Sequence, residues 1–132
     1  MKVTGLDHVQ LAIPVGGEDA ARKFYGDLLG LTEMNKPEAL AERGGAWFAG
    51  PGIDIHLGAE KDFRPSRKAH IAVLVTNLES ARSALKGAGV AFTEDEVDIG
   101  VDRFYAEDPF GNRIEFVSVV ERGFTSRFTT LP

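Results

Sequence analysis

The chain comes close to repeating itself, and nothing else in it narrows the choice of fold as far. Leu6-Asp7-His8-Val9-Gln10-Leu11-Ala12-Ile13 alternates apolar and less apolar residues. About sixty residues later Ala69-His70-Ile71-Ala72-Val73-Leu74-Val75 does the same, with His70 falling on His8. A slightly shorter shift lays Gly30 on Gly89, Gly52 on Gly111, Ile55 on Ile114 and His56 on Glu115. Each copy reads as β-α-β-β-β.

In the first copy a strand over 6–13 ends at Pro14 and turns at Gly16-Gly17. A helix is expected over 18–29, with Ala21, Phe24, Tyr25, Leu28 and Leu29 at helical spacing and Gly30 at the C′ position. A short strand over 31–35, a polar connection over 36–45 and a hairpin of 46–49 and 53–57 around Gly50-Pro51-Gly52 complete it. In the second copy a strand over 69–75 precedes a helix over 78–88, a strand over 90–93 and an acidic loop reaching Asp102. Its hairpin, 103–106 and 114–120, folds about Asp108-Pro109-Phe110-Gly111-Asn112, where Pro109 presets φ and Gly111 and Asn112 tolerate φ > 0. The expectation is an α+β chain forming one domain over 1–132. Two tandem β-α-β-β-β modules, 3–59 and 69–120, are joined by a charged crossover over 60–68, form one cupped mixed β-sheet, and are followed by a tail over 121–132. Open sheet edges need pairing, so a homodimer is expected, with the tail aromatics Phe124 and Phe128 packed on the partner or the tail partly disordered.

Composition removes several classes. The chain has no cysteine, so disulfides and thiolate metal sites are out and any metal must be held by His and carboxylates. A net charge of −5 argues against nucleic acid as a partner. Apolar runs are too short to span a bilayer, and the N-terminus enters a strand pattern without a signal-like segment, so no membrane partner and a cytoplasmic location are expected.

Period-2 alternation puts Ile114 and Phe116 on one face of the last strand and Glu115 on the other, among apolar neighbours, where a carboxylate needs a positive partner. The same reading collects His8, Gln10, Asp54, His56, His70, Arg103, Tyr105, Arg113 and Glu115 on one concave face. All three histidines of the chain and Glu115 occupy equivalent slots of the two copies. Three imidazoles and one carboxylate suit a divalent metal such as Zn, Fe, Mn, Co or Ni. Trp47, Phe48 and Phe104 are read as core aromatics and Glu94 to Asp102 as a solvated loop near the cup. Arg103 and Arg113 are candidates to bind a substrate carboxylate or phosphate; for Arg103, pairing with Glu107 or with Glu94-Asp95-Glu96 is the other reading.

These segments, in this order and spacing, resemble the vicinal oxygen chelate superfamily, which includes glyoxalase I, fosfomycin-resistance thiol transferases, bleomycin-resistance proteins, methylmalonyl-CoA epimerase and extradiol dioxygenases. The resemblance runs from Leu6-Asp7-His8-Val9 through Phe24-Tyr25 and Leu28-Leu29-Gly30-Leu31 to Arg103-Phe104-Tyr105, Asp108-Pro109-Phe110-Gly111-Asn112 and Ile114-Glu115-Phe116. It implies that His8, His70 and Glu115 form a metal triad and that His56 sits at a variable fourth position, often Glu or Gln in relatives, as a further ligand or the general base. Tyr105 matches a substrate-contacting tyrosine of fosfomycin-transferase relatives, and Gln10 stands where those relatives carry threonine. The activity implied is that of a metal-dependent isomerase, lyase or dioxygenase which chelates two vicinal oxygens of a small substrate. The alternative is a metal-free drug- or metabolite-sequestering protein of the bleomycin-resistance type.

Overall fold

The computed structural model describes residues 1–97 and 99–118, and the β-α-β-β-β unit occurs in it twice. Module one runs from β1 (Val9–Pro14) through α1 (Glu18–Ala21) to β2 (Thr32–Met34), α2 (Glu38–Ala41), β3 (Ala46–Gly50) and β4 (Ile53–Glu60). Module two consists of β5 (Ile71–Val75), α3 (Leu78–Gly87), β6 (Phe92–Glu94), β7 (Arg103–Glu107) and β8 (Arg113–Ser118). The expected mixed sheet is built as two four-stranded sheets of matching order, β1-β4-β3-β2 and β5-β8-β7-β6. β1 pairs with β4, and β5 with β8, in parallel, while the remaining pairs are antiparallel. A helix between the first strand of a module and the rest provides the crossover that parallel pairing requires, and hairpins supply the antiparallel pairs.

The strands expected over 6–13 and 69–75 begin at Val9 and Ile71, one residue after His8 and His70, and two helical segments also differ from the sequence expectation. The helix expected over 18–29 changes its winding after Ala21, and Arg22–Leu28 is π-helical, with the Leu29 amide donating to the Phe24 carbonyl at 2.9 Å. Adjacent residues on an α-helix diverge by about 100°, whereas this wider turn lets Phe24 and Tyr25, 3% and 0% exposed, both face the core. The polar connection over 36–45 contains α2, whose residues are all outside the core. α3 is capped by Asn77, whose side chain accepts from the Ser80 amide at 2.8 Å.

One core runs through both modules. Tyr25, Phe48, Ile55 and Leu57 join Leu85, Phe104, Ile114 and Phe116 in a single buried cluster. The Asp108-Pro109-Phe110-Gly111-Asn112 turn ties the halves together. Asp108, 5% exposed, accepts from the Tyr25 hydroxyl at 2.7 Å, from the amides of Phe110 and Asn112 at 2.9 and 2.8 Å, and from Asn112 Nδ2 at 2.8 Å. Asn112 Nδ2 also donates to the Ala12 carbonyl at 2.9 Å, so a turn of module two is bonded to the π-helical segment and β1 of module one. The motif quoted above for its turn chemistry is therefore a clasp between modules. Burial pushes the Tyr25 hydroxyl far up, so it remains the donor. Among the described residues no helix is long and apolar enough to cross a membrane. The tail over 121–132, and the packing expected for it, lie outside the described residues.

Candidate metal centre

Module one presents an aromatic wall. On β4 the buried side chains are Ile55 and Leu57, so His56 faces the other way, in register with Gln10 on β1 and Trp47 on β3. The His56 ring is held by its two faces, stacked on Trp47 at 3.8 Å and 3° and on His8 at 4.0 Å and 16°. Burial, followed by the neighbouring His8, holds the His56 imidazole below its ordinary value, so it is neutral at physiological pH. His8 stands one residue ahead of β1. Its Nδ1 lies 2.6 Å from Asp7 Oδ2, and since a carboxylate can only accept, the shared proton is on Nδ1, so a neutral ring has its lone pair on Nε2. The hydrogen bond from His8 holds the Asp7 carboxyl below the ordinary carboxylate range. Beyond His56 the Gln10 amide lies across Gly58, where a Cβ would come within 2.9 Å of Gln10 Nε2.

Module two presents an ionic wall built on the same backbone. Glu115, 8% exposed, is in register with Ala72 on β5 and Tyr105 on β7. Its carboxylate has the positive partner that burial demands: Oε1 accepts from Arg103 Nη1 at 3.2 Å, and Oε2 stands 3.1 Å from His70 Nε2. Arg103 Nη2 makes a second ion pair, with Asp95 Oδ2 at 2.7 Å, and the Tyr105 hydroxyl donates to the same oxygen at 3.2 Å. The acidic run is thus tethered. Asp95 turns in, while Arg82 holds Glu94 at 2.7 and 2.9 Å and reaches Asp102 at 3.5 Å. Burial raises the Tyr105 hydroxyl, which therefore acts as a proton donor. The Arg113 guanidinium sits 4.8 Å above the Tyr105 ring and makes no ion pair among the described residues.

His70 shows what this wall can hold. Its Nδ1 is 2.9 Å from the Lys68 carbonyl, which accepts, so a neutral ring has its lone pair on Nε2, aimed at a carboxylate oxygen. Two acceptors at 3.1 Å require a cation, either a second ring proton or a metal ion before both atoms. Two adjacent ligands on one ion with bonds of about 2.1 Å stand about 3 Å apart, so this pair fits a divalent metal. An imidazole whose Nδ1–H is fixed by an oxygen and whose Nε2 turns to the ion is the usual form of a metal-ligating histidine; His8 and His70 both have Nδ1 on an oxygen, and Nε2 of His70 faces Glu115.

The four donors expected from the sequence stand as two pairs, His8 with His56 and His70 with Glu115. Among the described residues no three His, Asp or Glu side chains come close enough to hold an ion together. An open trough of about 720 Å³ runs along β1 and β5, bordered by both His8 and His70. Two of its apolar side chains, Leu6 and Leu74, are 79% and 65% exposed. Of the remaining expected residues, Arg103 bonds Glu115 directly, Tyr105 is linked to Arg103 through Asp95, Arg113 covers Tyr105, and Gln10 lies beside His56. Sequence reasoning misses two participants, Trp47, which alternates with the buried Phe48, and Asp7 beside His8; the pairing of Arg103 with the run Glu94-Asp95-Glu96 is found at Asp95.

The model of the Glyoxalase/Bleomycin resistance protein/Dioxygenase superfamily matches residues 5–116. No curated protein matches the chain. Among solved structures, a glyoxalase family protein from Bacillus anthracis is 43% identical, with a TM-score of 0.85 over 91% of this chain and 98% of the other. The genomically encoded fosfomycin resistance protein FosX from Listeria monocytogenes shares the fold at 14% identity, with a TM-score of 0.73 over 91% and 97% of the two chains. A glyoxalase/dioxygenase from Nostoc punctiforme shares it at 22% identity, with a TM-score of 0.66 over 91% and 100%. Two copies of one module, histidines in matching slots and a match across most of the length lead to one assignment: the chain belongs to the Glyoxalase/Bleomycin resistance protein/Dioxygenase superfamily.

Proposed function

We propose that this protein is a metal-dependent enzyme acting on a small oxygen-rich molecule, and that two copies of the chain complete each metal site. His8 of one copy and His70 and Glu115 of the other supply the ligands. The observation that carries this reading is the shared state of His8 and His70: in each the Nδ1 proton is committed to an oxygen, leaving Nε2 to ligate. The separation of the two donor pairs within one chain, together with the exposed apolar trough along β1 and β5, supports completion by a second copy of the chain. Superfamily membership carries the coarser part, a vicinal oxygen chelate function.

When bound, a divalent metal polarises two vicinal oxygens of the substrate and stabilises negative charge developing on them. The protein side chains do the rest. His56, neutral through burial and clamped between two rings, is the general base that takes a proton from substrate. Tyr105, protonated, turns the hydrogen bond it makes to Asp95 towards a substrate oxygen. Arg113, without an ion pair among the described residues, receives a carboxylate or phosphate of the substrate, and the Gln10 amide fixes its far end. Arg103 has its two terminal nitrogens on Glu115 and Asp95 and acts on the substrate through Glu115.

Elemental analysis of untagged protein tests the metal. Wild type is expected to carry about one transition metal per subunit and Glu115→Ala none. A wild type that takes no metal even on reconstitution would move the reading to a sequestering protein. Mixing tests the shared site. His8→Ala and Glu115→Ala are each expected to lack metal, yet when co-refolded they form mixed dimers with one intact site, restoring about a quarter of the sites. Should mixing restore nothing, the site lies within one chain.

A further inference from the structure

We propose that Asp7 is a positioning residue for His8, its carboxylate accepting the Nδ1 proton so that the ring presents Nε2 to the metal, as the Lys68 carbonyl does for His70. The inference rests on the metal reading above and adds to it a residue that makes no contact with metal or substrate. A free imidazole favours the Nε2–H tautomer, which would block the atom that must ligate. What sets the tautomer is the hydrogen bond made by the other nitrogen. At His70 a backbone oxygen two residues upstream, 2.9 Å from Nδ1, performs this task. At His8, the equivalent position of module one, it falls to the carboxylate of the preceding residue at 2.6 Å. The two modules reach one ring state by different atoms, and only in module one is the acceptor a side chain that substitution can remove.

A purely stabilising role is a poor account of this pair. The Asp7 side chain is 95% exposed, and ion pairs so open to water contribute little to stability. Stacking on His56 already fixes the plane of the His8 ring, but a stacking contact cannot distinguish Nδ1 from Nε2. The carboxylate makes that distinction.

The test uses the full-length protein. Nitrogen NMR of metal-free wild type above pH 8 is expected to show His8 as the Nδ1–H tautomer, and Asp7→Ala to shift it to Nε2–H. With Zn²⁺ as probe, Asp7→Ala is expected to weaken binding about 10-fold, at the lower end of the range for residues behind a ligating histidine, with Asp7→Glu restoring most of it and thermal stability unchanged. A wild-type His8 in the Nε2–H form, or an Asp7→Ala protein that binds Zn²⁺ as tightly as wild type, overturns the assignment of Asp7 alone. A wild type that does not bind Zn²⁺ overturns this inference together with the metal reading.

Discussion

The two modules share strand order, register and helix placement, yet their concave walls are chemically opposite. In module one the row across the sheet is Trp47, His56, Gln10; in module two the same row is Tyr105, Glu115, Ala72. The first wall is held by ring faces and has one neutral base in its middle. The second is held by charge, with Glu115 between His70 and Arg103 and with Asp95 closing over Arg103 and Tyr105. Duplication supplies two sets of identical slots, and divergence fills one set with stacked rings and the other with paired charges. The turns diverge as well. Among the described residues Gly50-Pro51-Gly52 has no side-chain hydrogen bond to the other module, whereas its counterpart Asp108-Pro109-Phe110-Gly111-Asn112 is bonded to it.

That last asymmetry gives the largest expected effect. Asp108→Ala leaves the Tyr25 hydroxyl and the amides of Phe110 and Asn112 without their acceptor in a buried turn, and is expected to cost about 4 kcal/mol in chemical denaturation. Tyr25→Phe removes one partner and keeps the others, at about 1 to 2 kcal/mol. A small loss for Asp108→Ala would mean that the shared apolar core, and not the clasp, joins the modules.

The contrast between the walls is sharpened by metal affinity. If charge belongs to module two and proton transfer to module one, Glu115→Gln should weaken Zn²⁺ binding on the order of 100-fold or more, whereas His56→Gln weakens it less than 10-fold and slows turnover instead. Equal losses in a competition titration would make His56 a ligand and break the division of labour.

Much of this was legible in the chain because it depends on spacing. The duplicated pattern of His8 and His70 and the alternation around His56 and Glu115 fix which residues share a face, and both registers agree with it. What spacing does not carry is contact between distant segments. Nothing local announces that Asp108 reaches Tyr25, or that residues Arg22–Leu28 widen into a π-helix to bury two adjacent aromatics, and although the acidic run offers Arg103 three carboxylates, only the fold selects Asp95. Trp47 is a different kind of miss. The alternation that sends Phe48 inward sends Trp47 to the concave face, although its hydrophobicity alone suits a core position.

Trp47 also reports on the wall it belongs to, and it yields the smallest and most local prediction. It is the only tryptophan of the chain and stacks at 3.8 Å on His56, so its fluorescence reads the charge of that ring. An imidazolium quenches indole emission, and burial makes His56 harder to protonate than the ordinary histidine value of 6.5. Emission of metal-free protein is therefore expected to fall on acidification with a midpoint below 6.5, and the step should vanish in His56→Gln. The sign carries over to stability. Between the lowered folded value and 6.5 the unfolded chain binds the proton and the folded chain does not, so this group makes the fold less stable as pH falls through that window. A midpoint at or above 6.5 would mean that nearby carboxylates, Asp54 and Asp7, outweigh burial at His56, and module one would then hold a charged histidine in place of a neutral base.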